Sequence, residues 1–300
     1  MEIKRVAAID IGSNAVRMLI SNVLIDGTSH SYKKGNLVRL PIRLGADVFS
    51  EGKISKLNGN KLVSGMMAFK RIMEIHDVVT YKACATSAMR EAENGEKWVQ
   101  KVLKKSGIPI QIINGKEEAR IIYSTQIAEM LDDTEPHLYV DVGGGSTEIT
   151  LFYEGKILAS QSFNIGTVRI LNGKVSEEAW ENLKTWLKRI SNQFDFINLI
   201  GSGGNINKIF KISGIKNGKP LPYVKLYEIY KGLNKLSLDQ RMSDMSLNPD
   251  RADVIVPAAE IFLTVMKTVS SKNVLVPKVG LPDGLARMAY EDFVEYKLDL

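Results

Sequence analysis

Apolar residues in the first part of the chain form three extended runs, after which helices and strands alternate. The runs cover residues 4–11, 16–24 and about 31–44 and are separated by the polar stretches GSN and IDGTS. Between residues 53 and 75 the apolar positions recur near a period of 3.6, which indicates an amphipathic helix. The predicted order continues with a strand at 78–85, a helix at 87–105, a strand at 108–113 and a helix at 116–131.

The same order begins again after the polar stretch DDTEPH. Three strands are predicted first, and Ser176 is a suitable N-cap for the helix that follows them. The predicted elements are strands at 137–142, 149–153 and 156–163, a helix at 177–193, a strand at 196–200, several helices, a strand at 273–276 and a helix from about 283. The doubled order predicts two related domains.

Strands that alternate with helices predict an α/β fold with mixed sheets flanked by helices. We place one domain at residues 1–124 and the other at 125–300, with a helical insertion at about 220–250. The doubled order also predicts that the domains face each other across a cleft. Whether the C-terminal helix packs back on the first domain is left open by the pattern.

Each predicted domain has an acidic, glycine-containing corner after its first strand, namely AIDIGSN and YVDVGGGSTE. Glycine permits backbone dihedrals with which successive N–H groups converge on an anion. One such corner is also explained by a tight turn that binds nothing, but two in matching positions favour a phosphate ligand. The predicted phosphate-binding residues are Gly12, Ser13, Asn14, Gly143, Gly144, Gly145 and Ser146.

Three carboxylates accompany these corners. Asp10 and Asp141 end the strands that lead into them, and Glu148 follows Ser146 by two residues. Oxygen ligands of this kind suit Mg²⁺, which is held directly or through its waters. The sequence therefore predicts a magnesium site formed by these carboxylates.

A third glycine cluster, IGSGGNINKIF, joins a strand to a helix. Gly203 and Gly204 precede or open that helix, whose N-terminus attracts anions, so we add both to the predicted phosphate-binding residues. The cluster matches neither the Walker pattern nor a complete G-x-G-x-x-G, which argues against P-loop and Rossmann proteins.

The stretch INGKEEARIIY places Glu117 and Glu118 in the first turn of a helix. The helix dipole alone explains acidic residues there. A carboxylate next to the predicted cleft can also orient or deprotonate water. Arg90 follows another strand end, and arginines gathered at such ends suit a chain of phosphates.

Composition restricts the classes of function. The net charge of +6 is spread along the chain without a basic stripe of interleaved aromatics, so we expect no nucleic-acid partner. The single cysteine, Cys84, excludes an internal disulfide framework and fits a reducing compartment. No signal peptide is apparent, and the longest apolar stretch, 254–269, is too short and too charged to span a bilayer, so we expect a cytoplasmic protein without membrane contact.

Seven motifs resemble, in order, those of the exopolyphosphatase/guanosine pentaphosphate phosphohydrolase (Ppx/GppA) family. They are AIDIGSNAVRMLI, ATSAMREAENG, INGKEEARIIY, YVDVGGGSTEIT, NIGTVRI, IGSGGNINKI and RADVIVPAAEI…VGLPDGL. The resemblance implies two duplicated actin-like (ribonuclease H-like) domains with mixed five-stranded sheets and an active site in the cleft. It also implies Mg²⁺-dependent hydrolysis of terminal phosphate from inorganic polyphosphate or guanosine pentaphosphate.

The resemblance further assigns roles to individual residues. Glu118 becomes the base that activates water, Asp141 and Glu148 handle metal and phosphate, and Arg90 binds phosphate. Family members are commonly homodimers, and longer ones carry a C-terminal HD-type domain that we do not expect here. Ala15 and Asn205 depart from the family pattern.

Two other classes of protein remain compatible with the motifs. One is an ATP-using kinase or ATPase of the same superfamily. The other is non-enzymatic, either a regulator that binds nucleotide or polyphosphate or an actin-like assembling protein.

Overall fold

The computed structural model describes residues 2–27, 29–123 and 134–298. Contacts divide the chain into two compact units. Unit 1 comprises Met1–Gln126 together with Gly280–Leu300, and unit 2 comprises Ile127–Val279. The C-terminal segment is therefore grouped with the N-terminal part of the chain.

Unit 1 contains a mixed five-stranded sheet in the order β3-β2-β1-β4-β5. The first three strands are antiparallel neighbours, and β1, β4 and β5 are parallel. The strands are β1 Glu2–Ile11, β2 Val16–Asp26, β3 Ser29–Leu40, β4 Val78–Ala85 and β5 Gln111–Ile112. The helices are α1 Leu44–Glu51, α2 Lys56–Ile75, α3 Ser87–Glu91, α4 Gly95–Ser106, α5 Gly115–Tyr123 and, at the C-terminus, α13 Leu281–Leu298.

The core of unit 1 lies around its central strand. Residues 6–11 of β1 are buried without alternation, which is typical of a strand whose sheet is covered on both faces. Both α2 and α13 pack on the sheet, and α13 also contacts α5. Because the helices cover the faces of the sheet, polar residues are placed at the ends of the parallel strands.

Unit 2 contains a mixed six-stranded sheet in the order β10-β11-β9-β6-β7-β8. The strands are β6 His137–Val142, β7 Thr147–Tyr153, β8 Lys156–Phe163, β9 Asn198–Ser202, β10 Leu221–Pro222 and β11 Asn273–Leu275. The helices are α6 Thr167–Leu171, α7 Glu177–Ser191, α8 Gly204–Ser213, α9 Tyr223–Lys235, α10 Leu238–Ser243, α11 Pro249–Ala252 and α12 Ile255–Thr268. The largely buried α12 packs against α6, α7, α8 and α9.

The two sheets repeat one topology. The order β3-β2-β1-β4-β5 of unit 1 corresponds to β8-β7-β6-β9-β11 of unit 2, with three antiparallel strands followed by two parallel crossovers. The predicted α/β class with duplicated mixed sheets is therefore confirmed. The second sheet has six strands instead of the predicted five, because the two-residue β10 pairs antiparallel with β11 and is too short to produce a sequence pattern.

Several predicted boundaries are wrong for local reasons. The third strand ends at Leu40 instead of 44 because Pro41 has no N–H to continue the ladder, and α1 begins shortly afterwards. The predicted helix 87–105 is interrupted at Ala92, whose backbone is extended, and forms α3 and α4. The strand predicted at 108–113 is reduced to β5. Residues 124–131 of the predicted helix 116–131 lie outside the described residues.

Within the described part of the chain, no helix combines the length and the apolar character needed to cross a membrane.

Candidate functional site

The corner between β1 and β2 is closed by a backbone hydrogen bond from Gly12 N–H to the Ala15 carbonyl at 3.1 Å. Asp10 lies directly opposite Arg17 in the β1–β2 register, and its Oδ2 is 3.8 Å from Arg17 Nη1. Ser13 is buried within the corner, and its Oγ lies 2.9 Å from the Oγ of Ser87 at the start of α3. The first corner is thus tied to a neighbouring strand end.

The corner between β6 and β7 is closed in the same way. Gly143 N–H donates to the Ser146 carbonyl at 3.0 Å. In this hairpin Asp141 lies directly opposite Glu148. The predicted phosphate-binding residues of both corners therefore share one backbone arrangement.

The two corners differ in charge. Burial raises the pKa of the Asp10 carboxyl above its usual value, and the positive charge of Arg17 partly offsets that shift. The position that corresponds to Arg17 in the second hairpin is occupied by the acidic Glu148. A carboxylate and a guanidinium lie opposite each other in the first hairpin, whereas two carboxylates lie opposite each other in the second.

Two serine hydroxyls hold the Glu148 carboxylate. Ser146 Oγ donates to Glu148 Oε1 at 2.5 Å, and Ser162 Oγ on β8 donates to the same oxygen at 2.9 Å. Because the Ser146 hydrogen is used in this bond, its hydroxyl cannot donate to a phosphate at the same time. Any contribution of Ser146 as a phosphate donor in this arrangement comes from its backbone N–H.

The third glycine cluster adjoins Asp141. The parallel strands β6 and β9 place Asp141 opposite Ser202, whose Oγ is 3.2 Å from Asp141 Oδ2 and 3.1 Å from the Val279 carbonyl. Gly203 has φ +110°, and a Cβ there would lie 3.2 Å from Asp141 Oδ1. Gly204 then opens α8, which has no side-chain cap. Gly203 and Gly204 thus share the sheet edge of the second corner.

Helix α6 fixes the second corner through the corner's carbonyl groups. The N–H groups of Thr167 and Val168 donate to the Gly143 and Gly144 carbonyls at 3.0 and 2.8 Å. Arg169 Nε donates to the Gly145 carbonyl at 2.7 Å. The Nε of Arg169 thus has a structural role in holding the corner.

The two glutamates at the start of α5 have different environments. Asn114 Oδ1 accepts from the N–H groups of Lys116 and Glu117 at 2.9 and 3.0 Å, and Glu117 Oε2 accepts from Asn114 N–H at 2.9 Å. This reciprocal pair is a capping box. Glu118, by contrast, is buried with 7% of its surface exposed. Glu117 therefore has a helix-capping role, and Glu118 is the glutamate that a capping role does not explain.

The parallel strands of unit 1 bring Glu118 to the same sheet edge as Asp10. Thr86 N–H donates to the Ile11 carbonyl, and Arg90 Nη1 donates to the Ile113 carbonyl at 2.9 Å, so the ends of β1, β4 and β5 are connected. Cys84 lies beside Asp10 in the β1–β4 register. Burial raises the pKa of its thiol to about 12, with contributions from the charges of Asp10 and Glu118. Both carboxylates are therefore near Cys84.

Ser87, Ser162 and Ser202 were not predicted as site residues. A lone serine carries no distinctive pattern, and each contacts its partner only through the pairing of strands or the docking of a helix. The departure at Ala15 removes a hydroxyl, but its carbonyl still closes the first corner.

The acidic residues of unit 2 suit magnesium better than a metal that requires a full protein ligand set. Among the described residues, no group of three or more His, Cys, Asp and Glu side chains is arranged to hold a metal ion. Asp141 and Glu148 provide two carboxylates in register. Mg²⁺ commonly uses one or two carboxylates, keeps several waters and takes substrate phosphates as further ligands, so the residues fit it.

Sequence comparison gives relatives for most of the chain. It is 33% identical over 194 residues to the bifunctional 3-dehydroquinate synthase/phosphatase of Fusobacterium nucleatum, a match that covers 61% of this chain and 29% of that protein. It is 30% identical over 178 residues to exopolyphosphatase 2 of Mycobacterium tuberculosis, covering 57% of this chain and 54% of that protein. The chain thus spans about half or less of the length of these curated relatives.

Solved structures match nearly the whole fold. The Ppx/GppA family member of Aquifex aeolicus is 25% identical, with a TM-score of 0.74 over 98% of this chain and 99% of that one. The exopolyphosphatase of Cytophaga hutchinsonii is 22% identical, with a TM-score of 0.83 over 96% of this chain and 98% of that one, which shows a shared fold. The sequence model of the Ppx/GppA phosphatase family matches residues 39–290. Since this match extends over most of the chain, the protein belongs to the Ppx/GppA phosphatase family.

Proposed function

We propose that this protein is a phosphohydrolase that releases terminal phosphate from inorganic polyphosphate. Membership of the Ppx/GppA phosphatase family and the similarity to exopolyphosphatases support the proposal. The observation that carries it is the environment of Glu118, a buried carboxylate whose charge, like that of Asp10, acts on Cys84 near the ends of the parallel strands. Its neighbour Glu117 closes the helix cap, so the cap does not account for the burial of Glu118.

In the proposed mechanism, water attacks the terminal phosphorus in line with the leaving phosphate oxygen. Glu118 orients this water and accepts its proton. Backbone N–H groups of the glycine corners, with Arg90, bind the phosphate oxygens and stabilise charge in the transition state. The proposal needs no nucleophilic side chain.

We propose that Asp141 and Glu148 hold Mg²⁺, directly or through its waters, and that Asp10 contributes through water. The charge of Arg17 beside Asp10 supports this order, because it offsets part of the negative charge of that carboxylate. When bound, Mg²⁺ would neutralise phosphate charge. Asp141 and Glu148 would hold the ion at the second corner.

Phosphate release tests the proposal. The purified chain would be assayed with Mg²⁺ on polyphosphates of graded length, on guanosine pentaphosphate and on ATP, with EDTA as the control. We expect Mg²⁺-dependent release from polyphosphate that exceeds release from ATP. Faster release from guanosine pentaphosphate than from polyphosphate would identify guanosine pentaphosphate as the substrate instead. Preference for ATP would favour a kinase or ATPase.

A non-enzymatic role gives a different result in the same experiment. A regulator would bind polyphosphate or nucleotide and release no phosphate, and an actin-like assembling protein would form sedimentable polymers. Either outcome would overturn the proposed activity.

We further propose that the protein acts in the cytoplasm as a homodimer. The single cysteine is buried, which fits a reducing compartment, and the dimer follows from the family resemblance. Light scattering after size-exclusion chromatography would measure the oligomeric state, and a mass of one chain would contradict the dimer.

A further inference from the structure

The Glu148 side chain is held from a neighbouring strand. Glu148 and Ser162 are direct register partners in the antiparallel pair β7–β8, and Ser162 Oγ donates to Glu148 Oε1 at 2.9 Å. Ser146 donates to the same oxygen from the corner. Two donors from separate segments therefore hold one carboxylate oxygen.

Two donors on one oxygen restrict rotation of the carboxylate. The terminal torsion of a glutamate is broad when nothing holds it. Here, turning the carboxylate plane away from its observed orientation lengthens both hydrogen bonds together. Ser146 lies in the corner only two residues from Glu148 in the chain, whereas Ser162 belongs to a separate strand. Ser162 thus provides the cross-strand part of the restraint.

The next cross-strand pair on the same face of the sheet is a pair of hydroxyl groups. Thr150 lies opposite Ser160, and their hydroxyl oxygens are 3.0 Å apart. This pair also joins the two strands through a serine hydroxyl, but its partner is a threonine hydroxyl instead of a carboxylate. Ser160 is therefore a matched control for the role of Ser162.

Ser162 is more exposed than Glu148, the residue that accepts its hydrogen bond. Glu148 is buried with 5% of its surface exposed, whereas Ser162 is exposed on β8, the edge strand of the sheet. Removing an exposed hydroxyl opens no core cavity, so its effect on folding is small. Its loss acts mainly on the carboxylate that accepts its hydrogen bond.

We propose that Ser162 is a positioning residue that fixes the Glu148 carboxylate for binding a divalent cation. This inference rests on the proposed function insofar as Glu148 is a metal ligand. Partners of metal ligands typically contribute 10- to 100-fold to metal affinity. Because Ser146 remains in place, we expect the lower end, about a tenfold loss, on removing the Ser162 hydroxyl.

The test measures binding of Mn²⁺, as a probe for Mg²⁺, to the full chain without substrate. Electron paramagnetic resonance of free Mn²⁺ would be recorded for the wild type, Ser162→Ala, Ser162→Thr and the control Ser160→Ala. We expect about tenfold weaker binding in Ser162→Ala, recovery in Ser162→Thr and no change in Ser160→Ala. Unchanged thermal unfolding would show that the variants remain folded.

A second measurement separates metal positioning from general damage. In Ser162→Ala, the Mg²⁺ concentration for half-maximal phosphate release should rise while kcat at saturating Mg²⁺ stays near the wild-type value. Three results would overturn the inference. Ser162→Ala could bind Mn²⁺ as tightly as the wild type, Ser160→Ala could weaken binding as much as Ser162→Ala does, or the wild type could bind no Mn²⁺. If Ser162→Ala binds Mn²⁺ more weakly than the wild type but the wild type releases no phosphate, the proposed activity is wrong and the positioning role of Ser162 is supported.

Discussion

Glu117 and Glu118 are adjacent in the sequence, yet only Glu117 closes the capping box with Asn114, while Glu118 is buried beside the strand ends. A helix rotates successive side chains by about 100°, so neighbours in the first turn point in different directions. One residue can therefore cap the helix while the next is buried.

This difference predicts opposite effects of two similar substitutions. Glu118→Gln should lower kcat for phosphate release by about 10²- to 10⁴-fold, because the amide cannot accept the proton of the attacking water. Glu117→Gln should leave kcat near the wild-type value, because glutamine also completes a capping box. Steady-state phosphate release compares the two, and equal losses in both variants would remove Glu118 from its proposed role.

The unequal charge of the two corners predicts which carboxylates dominate metal binding. Glu148→Gln should weaken Mn²⁺ binding more than Asp10→Asn does, because the charge of Arg17 offsets part of that of Asp10, whereas Glu148 lies opposite the second carboxylate, Asp141. Calorimetric titration with Mn²⁺ measures both affinities. A larger effect of Asp10→Asn would place the metal at the first corner.

Gly166 permits the close approach of α6 to the second corner. A Cβ at this position would lie 2.4 Å from the carbonyl carbon of Gly145, a backbone atom that cannot move aside cheaply. Gly166→Ala should therefore lower the free energy of unfolding by about 1–3 kcal/mol through overpacking. Denaturant unfolding monitored by circular dichroism would measure the change.

Gly232 is the matched control for that substitution. It lies inside α9, and a Cβ there would meet nothing within 4 Å. Gly232→Ala should raise the free energy of unfolding by about 0.5–1 kcal/mol, since alanine is the better helix former. A loss of stability in Gly232→Ala as large as in Gly166→Ala would contradict the steric explanation.

Cys84 should be chemically inert in the folded protein. It is buried, and its thiol pKa is raised to about 12, so at pH 8 only about one thiol in ten thousand is ionised. A thiol reagent that absorbs light on reaction should label Cys84 slowly at pH 8 and rapidly after unfolding. Rapid labelling of the folded chain would show that the strand end is open to solvent.

The order of elements could be predicted from the sequence because each element depends on local residues. Val6 to Ile11 form a buried run that only a covered strand explains, and Ser176 accepts from Ala179 N–H as the predicted N-cap of α7. The short elements β10 and α6 were missed because two to five residues contain no hydrophobic period. Their formation depends on neighbouring strands and on the second corner.

Residue types and their spacing are sufficient to specify the α/β class, the repeated strand order and the two acidic glycine corners. The three-dimensional structure was needed to show that Asp10 lies opposite Arg17 whereas Asp141 lies opposite Glu148, and that Ser162 supports Glu148 from an edge strand. These relationships depend on strand register, in which a shift of one residue turns every side chain to the other face. Register is set by the packing of the whole unit, so no short stretch of sequence contains it.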